Sequence, residues 1–235
     1  MRILSLNIRH GGGTRLTKIL DYIISMNADI VVLTEFRNNK NSHTIKETLK
    51  SHSYPFISTL NTDTTKNSVL VASRIMGHQI DLESPNNWSL NAVDINGIQL
   101  VGTYFPLKND KKDLINWFLE KGLNFRKTIF IGDFNTGSNI LDKDKTGSSF
   151  FMGSEFETIS QEILTDSFRY RNPELREYSW YSNAGNGFRI DHCLVTKDLT
   201  DNIRSVSYDH KTRPELTDHS AMIVVMTINR EVRFS

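Results

Sequence analysis

The residues of this chain best suited to chemistry lie in short polar steps that close apolar runs. In Ile129-Phe130-Ile131-Gly132-Asp133-Phe134-Asn135 three apolar residues predict a buried strand, and the glycine frees the backbone for a turn that presents a carboxylate and a carboxamide. An ionised aspartate only accepts, which suits holding a water or a cation. Asparagine offers a donor and an acceptor and can fix a phosphate oxygen without adding repulsive charge. Alone, such a segment is also an ordinary capped turn. Two further steps, Arg189-Ile190-Asp191-His192 and Thr217-Asp218-His219-Ser220, bring more carboxylates and a histidine to predicted strand boundaries. Asn7 closes a first strand over residues 2–8, and Glu35 closes the apolar run 29–34, positions at which open α/β folds place ligand groups. Tyr104 ends another strand, where its phenol could donate to an anion or simply sit half-buried. Around Arg169, Arg171 and Trp180, arginines and aromatics mix, a composition that grips phosphates and stacks on sugars or bases, or that forms a plain surface cluster.

The elements that must carry these residues follow from periodicity. Leu16, Ile19, Leu20, Ile23 and Ile24 recur at helical spacing, with Thr14 as expected N-cap and Asn27 near the end. A short helix is expected around 45–49, another over 113–122 with Gly122 as its C′ residue, and one over 156–164. Residues 68–73, 89–95, 98–104, 190–196, 205–208 and 221–228 read as strands, and Asn96-Gly97 predicts a type I′ hairpin turn. The polar stretch 136–149 reads as a mobile surface loop. Many strands, a hairpin and few helices predict two mixed sheets with helices outside, and the absence of repeats or linkers predicts one domain over 1–235.

Composition excludes some function classes. The 235 residues carry 28 Lys plus Arg against 27 Asp plus Glu, a net charge of +1, so no global basic field draws nucleic acid and an anionic ligand must be captured locally. The single cysteine, Cys193, permits no intrachain disulfide and reads as a small buried hydrophobe, which suits a reducing cytoplasm. No run approaches the roughly 20 apolar residues that span a bilayer, and the N-terminus has no h-region or cleavage site. A soluble cytoplasmic protein with no membrane association and no obligate protein partner is expected. His43, His52 and His78 have no ligand-like spacing and read as surface residues.

Taken in order, the Asn7 strand, Leu33-Thr34-Glu35, Tyr104-Phe105-Pro106, Gly132-Asp133-Phe134-Asn135, Asp166-Ser167-Phe168-Arg169 through Asn172-Pro173, Ser179-Trp180, Arg189-Ile190-Asp191 and Thr217-Asp218-His219 resemble the endonuclease/exonuclease/phosphatase superfamily, most closely its exonuclease III and abasic-site endonuclease branch. The resemblance covers nearly the whole chain. It implies a DNase I-like fold, a four-layered α/β sandwich with two mixed central sheets flanked by helices. It also implies that Glu35, Asn7 and Asp218 hold Mg²⁺ or Mn²⁺ and that Asp133 orients or deprotonates the attacking water. Asn135 and Tyr104 would bind the scissile phosphate, His219 would contact it as a cation held by Asp191, and Arg169, Trp180 and Arg189 would bind substrate. A tyrosine at 104, where the DNase I branch resembles a second histidine, points to the exonuclease III branch. The glycines at 11–13 and the short segment 136–154 depart from the repair enzymes. The implied activity is metal-dependent phosphodiester hydrolysis of nucleic acid, DNA first, by a 3′ exonuclease or endonuclease; the alternative is a small phosphoester such as a nucleotide or phosphoinositide.

Overall fold

The computed structural model describes residues 1–227. In chain order its strands are β1 (Arg2–Asn7), β2 (Ile30–Phe36), β3 (Phe56–Thr59), β4 (Ser68–Ser73), β5 (His78–Gln79), β6 (Leu90–Ile95) and β7 (Ile98–Tyr104). They continue as β8 (Thr128–Asp133), β9 (Thr165–Asp166), β10 (Trp180–Tyr181), β11 (Gly187–Phe188), β12 (Asp191–Val195), β13 (Ile203–Asp209) and β14 (Ala221–Met226). One six-stranded sheet runs β13-β14-β1-β2-β4-β3 and the other β5-β6-β7-β8-β12-β9, with β10 and β11 forming a separate ribbon. Each large sheet has one parallel pair at its centre, β1 with β2 and β7 with β8, flanked by antiparallel neighbours.

Alternation along the strands makes this arrangement a sandwich. In β1, Ile3 turns into the core between the sheets, with Val32, Val69, Ile131, Cys193 and Met222, while Leu4 and Leu6 turn outward. That outward face is covered by α1 (Leu16–Ser25) and α2 (Lys40–Ser51). The second sheet is covered by α3 (Lys112–Lys121) and α4 (Gly153–Thr158), whose Phe118 and Phe156 pack with Phe105, Phe130 and Phe134. The result is the expected helix, sheet, sheet, helix layering. Burying Ile19 and Ile23 of α1 is worth roughly 1.5–3 kcal/mol each.

Local expectations fare unevenly. Asn96 and Gly97 have φ of 54° and 78°, the two left-handed residues of the expected type I′ turn. Cys193 is fully buried and free, and His43, His52 and His78 are exposed. By contrast Thr14 caps nothing, since α1 begins at Leu16 without a side-chain cap. Gly122 keeps a helical φ of −57° and leads into a 3₁₀ turn (Gly122–Asn124) rather than ending α3 in a left-handed residue. α2 is longer than expected, because Asn39 accepts a hydrogen bond from the Asn41 amide and starts it a turn earlier. The helix expected over 156–164 divides into α4 and a π-helical turn (Ile159–Ile163). Of the last expected strand, Ile228 lies outside the described residues.

The stretch 136–149, read as a mobile loop, is pinned. Thr136, Ser138, Asp142 and Lys143 are buried, the Ser138 amide donates to Asp142 at 2.9 Å, and Asp142 receives Arg189 at 2.8 Å. Polar composition alone hid this, because the partners lie far along the chain. No helix among the described residues is long and apolar enough to cross a membrane.

Candidate active site

The two parallel strand pairs end at one edge of the sandwich. Register places Asn7 opposite Thr34 and Tyr104 opposite Asp133, so the C-terminal ends of β1, β2, β7 and β8 converge on one cavity of about 890 Å³. Backbone features aim the side chains. The β2–β4 ladder shifts register between Thr34 and Phe36, a bulge that leaves Glu35 unpaired with φ of 53° and turns its carboxylate to the cleft. Gly132 has φ of 148° and lies so close to β7 that an added Cβ would come within 2.0 Å of the Thr103 carbonyl oxygen, so only glycine can precede Asp133 here.

Asp133 is 1% exposed. Its carboxylate accepts from the Asn7 side chain at 2.9 Å, the Asn135 amide at 2.8 Å and the Asn135 side chain at 3.3 Å. Burial pushes its carboxyl up to about 7, with the His219 cation opposing and Asp191 and Glu35 adding to the rise. Asn135, with a left-handed φ of 49°, also donates to the Phe105 carbonyl at 2.8 Å. His219 Nδ1 lies 2.8 Å from Asp191 Oδ2, and its Nε2 lies 3.4 Å from Asn7 Nδ2. Burial lowers the imidazole's affinity for a proton, but Asp191, then Asp133 and Asp218, outweigh it and raise the pKa to about 10. His219 is thus a cation at neutral pH.

Ser179 fixes this pair. Its hydroxyl accepts from the Ile190 and Asp191 amides at 3.1 Å each, and its carbonyl accepts from Ser220 at 2.8 Å. Tyr208 donates to the Asp191 carbonyl at 2.6 Å, and Thr217 donates to the Asn7 carbonyl at 2.7 Å, tying the 217–219 step to β1.

The His219 pairing has a stability consequence. Its folded-state pKa exceeds the ordinary value near 6.5, so the contribution is complete below that pH and is lost as pH rises toward 10. In EDTA, the unfolding free energy read from urea melts is expected to fall between pH 7 and pH 10, and the fall should be smaller in His219→Gln by an amount on the order of a few kcal/mol. Equal slopes in both proteins would refute the pairing.

Glu35, Asp133 and Asp218 supply hard carboxylate oxygens at the cleft, the donor set a divalent cation of the Mg²⁺ type prefers, while Asn7, expected as a further ligand, turns its amide nitrogen to Glu35 and Asp133 and its oxygen to the Arg9 amide at 2.8 Å. Glu35 Oε1 lies 3.2 Å from Asn7 Nδ2, Glu35 Oε2 accepts from the His10 amide at 2.9 Å, and Asp218 lies 4.0 Å from Arg9. The three carboxylates that line one cleft, those of Glu35, Asp133 and Asp218, fit a bound cation by donor type. Asp133, Asp191 and His219 also cluster, but a protonated imidazole clamped by Asp191 is no metal ligand. The other such cluster, Asp142, Asp166 and His192, is filled by the Arg189 guanidinium.

The expected site residues therefore divide. Asn7, Glu35, Tyr104, Asp133, Asn135, Asp191, Asp218 and His219 come together, and Trp180 lines the same cleft. Tyr104 is 8% exposed and its phenol is raised by burial and then by Glu35 and Asp133, so it stays protonated. Arg189 and Arg169, expected to bind substrate, do not reach the cleft. Arg189 is fully buried against Asp142 and Asp166, and Arg169 is spent on Asp142 and the carbonyls of Leu141 and Leu175. Their charges are neutralised inside the fold, which arginine composition cannot reveal.

Other residues carry no sequence signal. Lys111, in a run of polar residues, is 3% exposed, bonds the Asn135 carbonyl through Nζ, and is lowered to about 8 by burial. Phe150, Phe188 and Ile190 join the expected Trp180, which pairs with His219, in the apolar part of the lining, with Phe188 5.5 Å from Phe150 and 5.8 Å from Trp180 between ring centres.

Known proteins share this architecture. An AP endonuclease from Archaeoglobus fulgidus superposes with a TM-score of 0.81 at 18% identity, covering 97% of this chain and 100% of that one. The 3′ phosphatase NExo from Neisseria, bound to a product DNA hairpin, superposes at 0.80 with 21% identity and the same coverage. In sequence, a DNA-(apurinic or apyrimidinic site) endonuclease of Dictyostelium discoideum is 23% identical over 264 residues, spanning 97% of this chain and 71% of that protein. With a match to the family profile that runs from residue 4 to residue 219, from the first strand to the histidine of the cleft, the chain belongs to the Endonuclease/Exonuclease/phosphatase family.

Proposed function

We propose that this protein is a Mg²⁺- or Mn²⁺-dependent phosphodiesterase that hydrolyses DNA, cutting at an abasic site or trimming a 3′ end. The observation that carries the reading is a buried carboxylate, Asp133, with a cationic His219 clamped by Asp191, in a cleft that also carries aromatic side chains. Asp133 accepts the proton of the attacking water as the water oxygen bonds to phosphorus and the bond from phosphorus to the leaving sugar oxygen breaks. Tyr104 and His219 donate to the nonbridging oxygens, whose charge grows in the transition state, and Asn135 would join them by turning its amide away from the Phe105 carbonyl or Asp133. Glu35 and Asp218 would hold the cation, and Asn7 would join them by turning its amide oxygen away from the Arg9 amide. When bound, the cation neutralises charge on the phosphate and its leaving oxygen.

The aromatic part of the lining favours nucleic acid. Trp180, at the cleft beside His219, offers an aromatic face to a sugar or base. The names of the relatives, an endonuclease of abasic sites among them, agree with this choice. Both sheets contribute to one cleft, which supports reading 1–235 as one working domain with no protein partner needed for the chemistry.

The test is release of label from end-labelled single-stranded, duplex and abasic-site duplex DNA with Mg²⁺, with EDTA as control. Incision at the abasic site that EDTA abolishes and that weakens steeply with salt is the expected result. Magnesium-dependent hydrolysis confined to nucleotides or inositol phosphates, with a shallow salt dependence, would give the site to a small phosphoester.

A further inference from the structure

The Tyr104 hydroxyl belongs to a chain of polar contacts that begins outside the cleft. Arg37 Nε lies 2.6 Å from Asn67 Oδ1, and Asn67 Nδ2 lies 3.1 Å from the Tyr104 hydroxyl. Arg37 is itself steadied by His10, 2.7 Å from its terminal nitrogen, and Ser68, the first residue of β4, donates to the Phe36 carbonyl at 3.0 Å. The loops after β2 and before β4 are thus laced together beside Tyr104. On the other side, Trp88 lies 6.4 Å from the Tyr104 ring, with Lys66 3.8 Å above the indole.

Donor chemistry gives this chain a direction. A guanidinium can only donate, so the Asn67 atom facing Arg37 is the oxygen, and the atom facing Tyr104 is the amide nitrogen. The Asn67 amide nitrogen in turn can only donate, so one lone pair of the tyrosine hydroxyl is occupied. The hydroxyl proton is excluded from the Asn67 side, and the open direction is the cleft that Tyr104 lines. We propose that Arg37 and Asn67 are positioning residues that set the direction of the hydrogen bond at Tyr104, so that its hydroxyl donates to a phosphate oxygen in the cleft. The inference rests on the proposed phosphate-binding role of Tyr104 and adds the two residues that enforce it.

The deciding variant is Asn67→Asp. It keeps the side chain's shape and its partner Arg37, but a carboxylate cannot donate, and it takes the Tyr104 proton for itself. With abasic-site DNA, kcat is expected to fall roughly 10- to 100-fold, with KM within about threefold. Tyr104→Phe should do the same, and the double variant should be no slower than Tyr104→Phe alone, because the lost proton can be lost only once. Arg37→Met, which frees Asn67 to turn over, should give a smaller loss that also vanishes in the Tyr104→Phe background, and it decides the matter if Asn67→Asp fails to fold. Inorganic phosphate lacks the many other contacts that dominate KM for DNA, so calorimetric titration with it in Mg²⁺ should show a Kd weakened more than threefold in Asn67→Asp and in Tyr104→Phe, with no further weakening in the double variant. Losses that multiply in the double variants, or an Asn67→Asp protein within threefold of wild type in both assays, would overturn the proposal. If the wild-type protein cleaves no DNA, the proposed function falls, while the phosphate titrations still decide the direction of the hydrogen bond.

Discussion

Replacing Asp133 by asparagine is expected to lower kcat for metal-dependent hydrolysis by about 10³-fold or more while KM changes only a few-fold. The volume at this position survives, and the new carboxamide oxygen can still accept the Asn135 amide that now bonds Asp133 at 2.8 Å, while the new amide nitrogen would meet the Asn7 side-chain nitrogen now 2.9 Å away, so that Asn7 must turn its amide over. What is lost is the capacity to take a proton from water, and no neighbour can supply it. Asn7 and Asn135 are amides, His219 is already protonated, and the phenol of Tyr104 is raised rather than lowered. The Asp191 carboxylate is held by His219 at 2.8 Å, and those of Glu35 and Asp218 would be committed to the cation. Since the carboxylate acts on the water and not on the resting phosphate, the defect should appear in the chemical step. Circular dichroism with a cooperative melt establishes that the variant is folded. Hydrolysis at the wild-type rate in such a folded variant would remove Asp133 from the mechanism.

The residues at strand ends were legible because two independent signals coincide there. An apolar run announces a strand, and a polar residue at its close announces what the strand delivers, as with Asn7, Glu35, Tyr104 and Asp133. The Asn96-Gly97 turn was legible for a related reason, since its chemistry is complete within two residues. Arg189 and Arg169 show the limit. An arginine between apolar neighbours reads as a cation available to a phosphate, and only the arrival of Asp142 and Asp166 from other segments turns it inward. The same distance in sequence hides Asn67 and Lys111, ordinary in their own segments and placed only by Tyr104 and by the Asn135 turn. Ser179 was visible as part of a motif, but its work, receiving two successive amides at the start of β12, is defined by the fold alone.

Arg189→Met is expected to destabilise the protein by about 3–5 kcal/mol at neutral pH, the cost of leaving buried charges without their partner. Arg189 Nε donates to Asp142 at 2.8 Å, its terminal nitrogens donate to Asp166 at 2.7 and 3.3 Å, and the side chain is fully buried. Arg169 would still neutralise part of Asp142, at 2.5 Å, but Asp166 would keep only His192, at 3.4 Å, and the Phe168 and Arg169 amides. Burial alone would raise both carboxyls; Arg189 instead holds them below their ordinary values. Groups with depressed folded-state pKa values stabilise above their ordinary pKa near 3.8 and lose that contribution on acidification. The deficit of Arg189→Met, read from urea melts, should therefore be largest near pH 7 and shrink toward pH 4, as Asp142 and Asp166 in the variant take up protons and cease to be buried charges. Below its melting temperature the variant should keep KM within about threefold, because Arg189 does not line the cleft. A raised KM with an unchanged urea midpoint would put the guanidinium on the substrate after all, and the buried network would then be incidental to the fold.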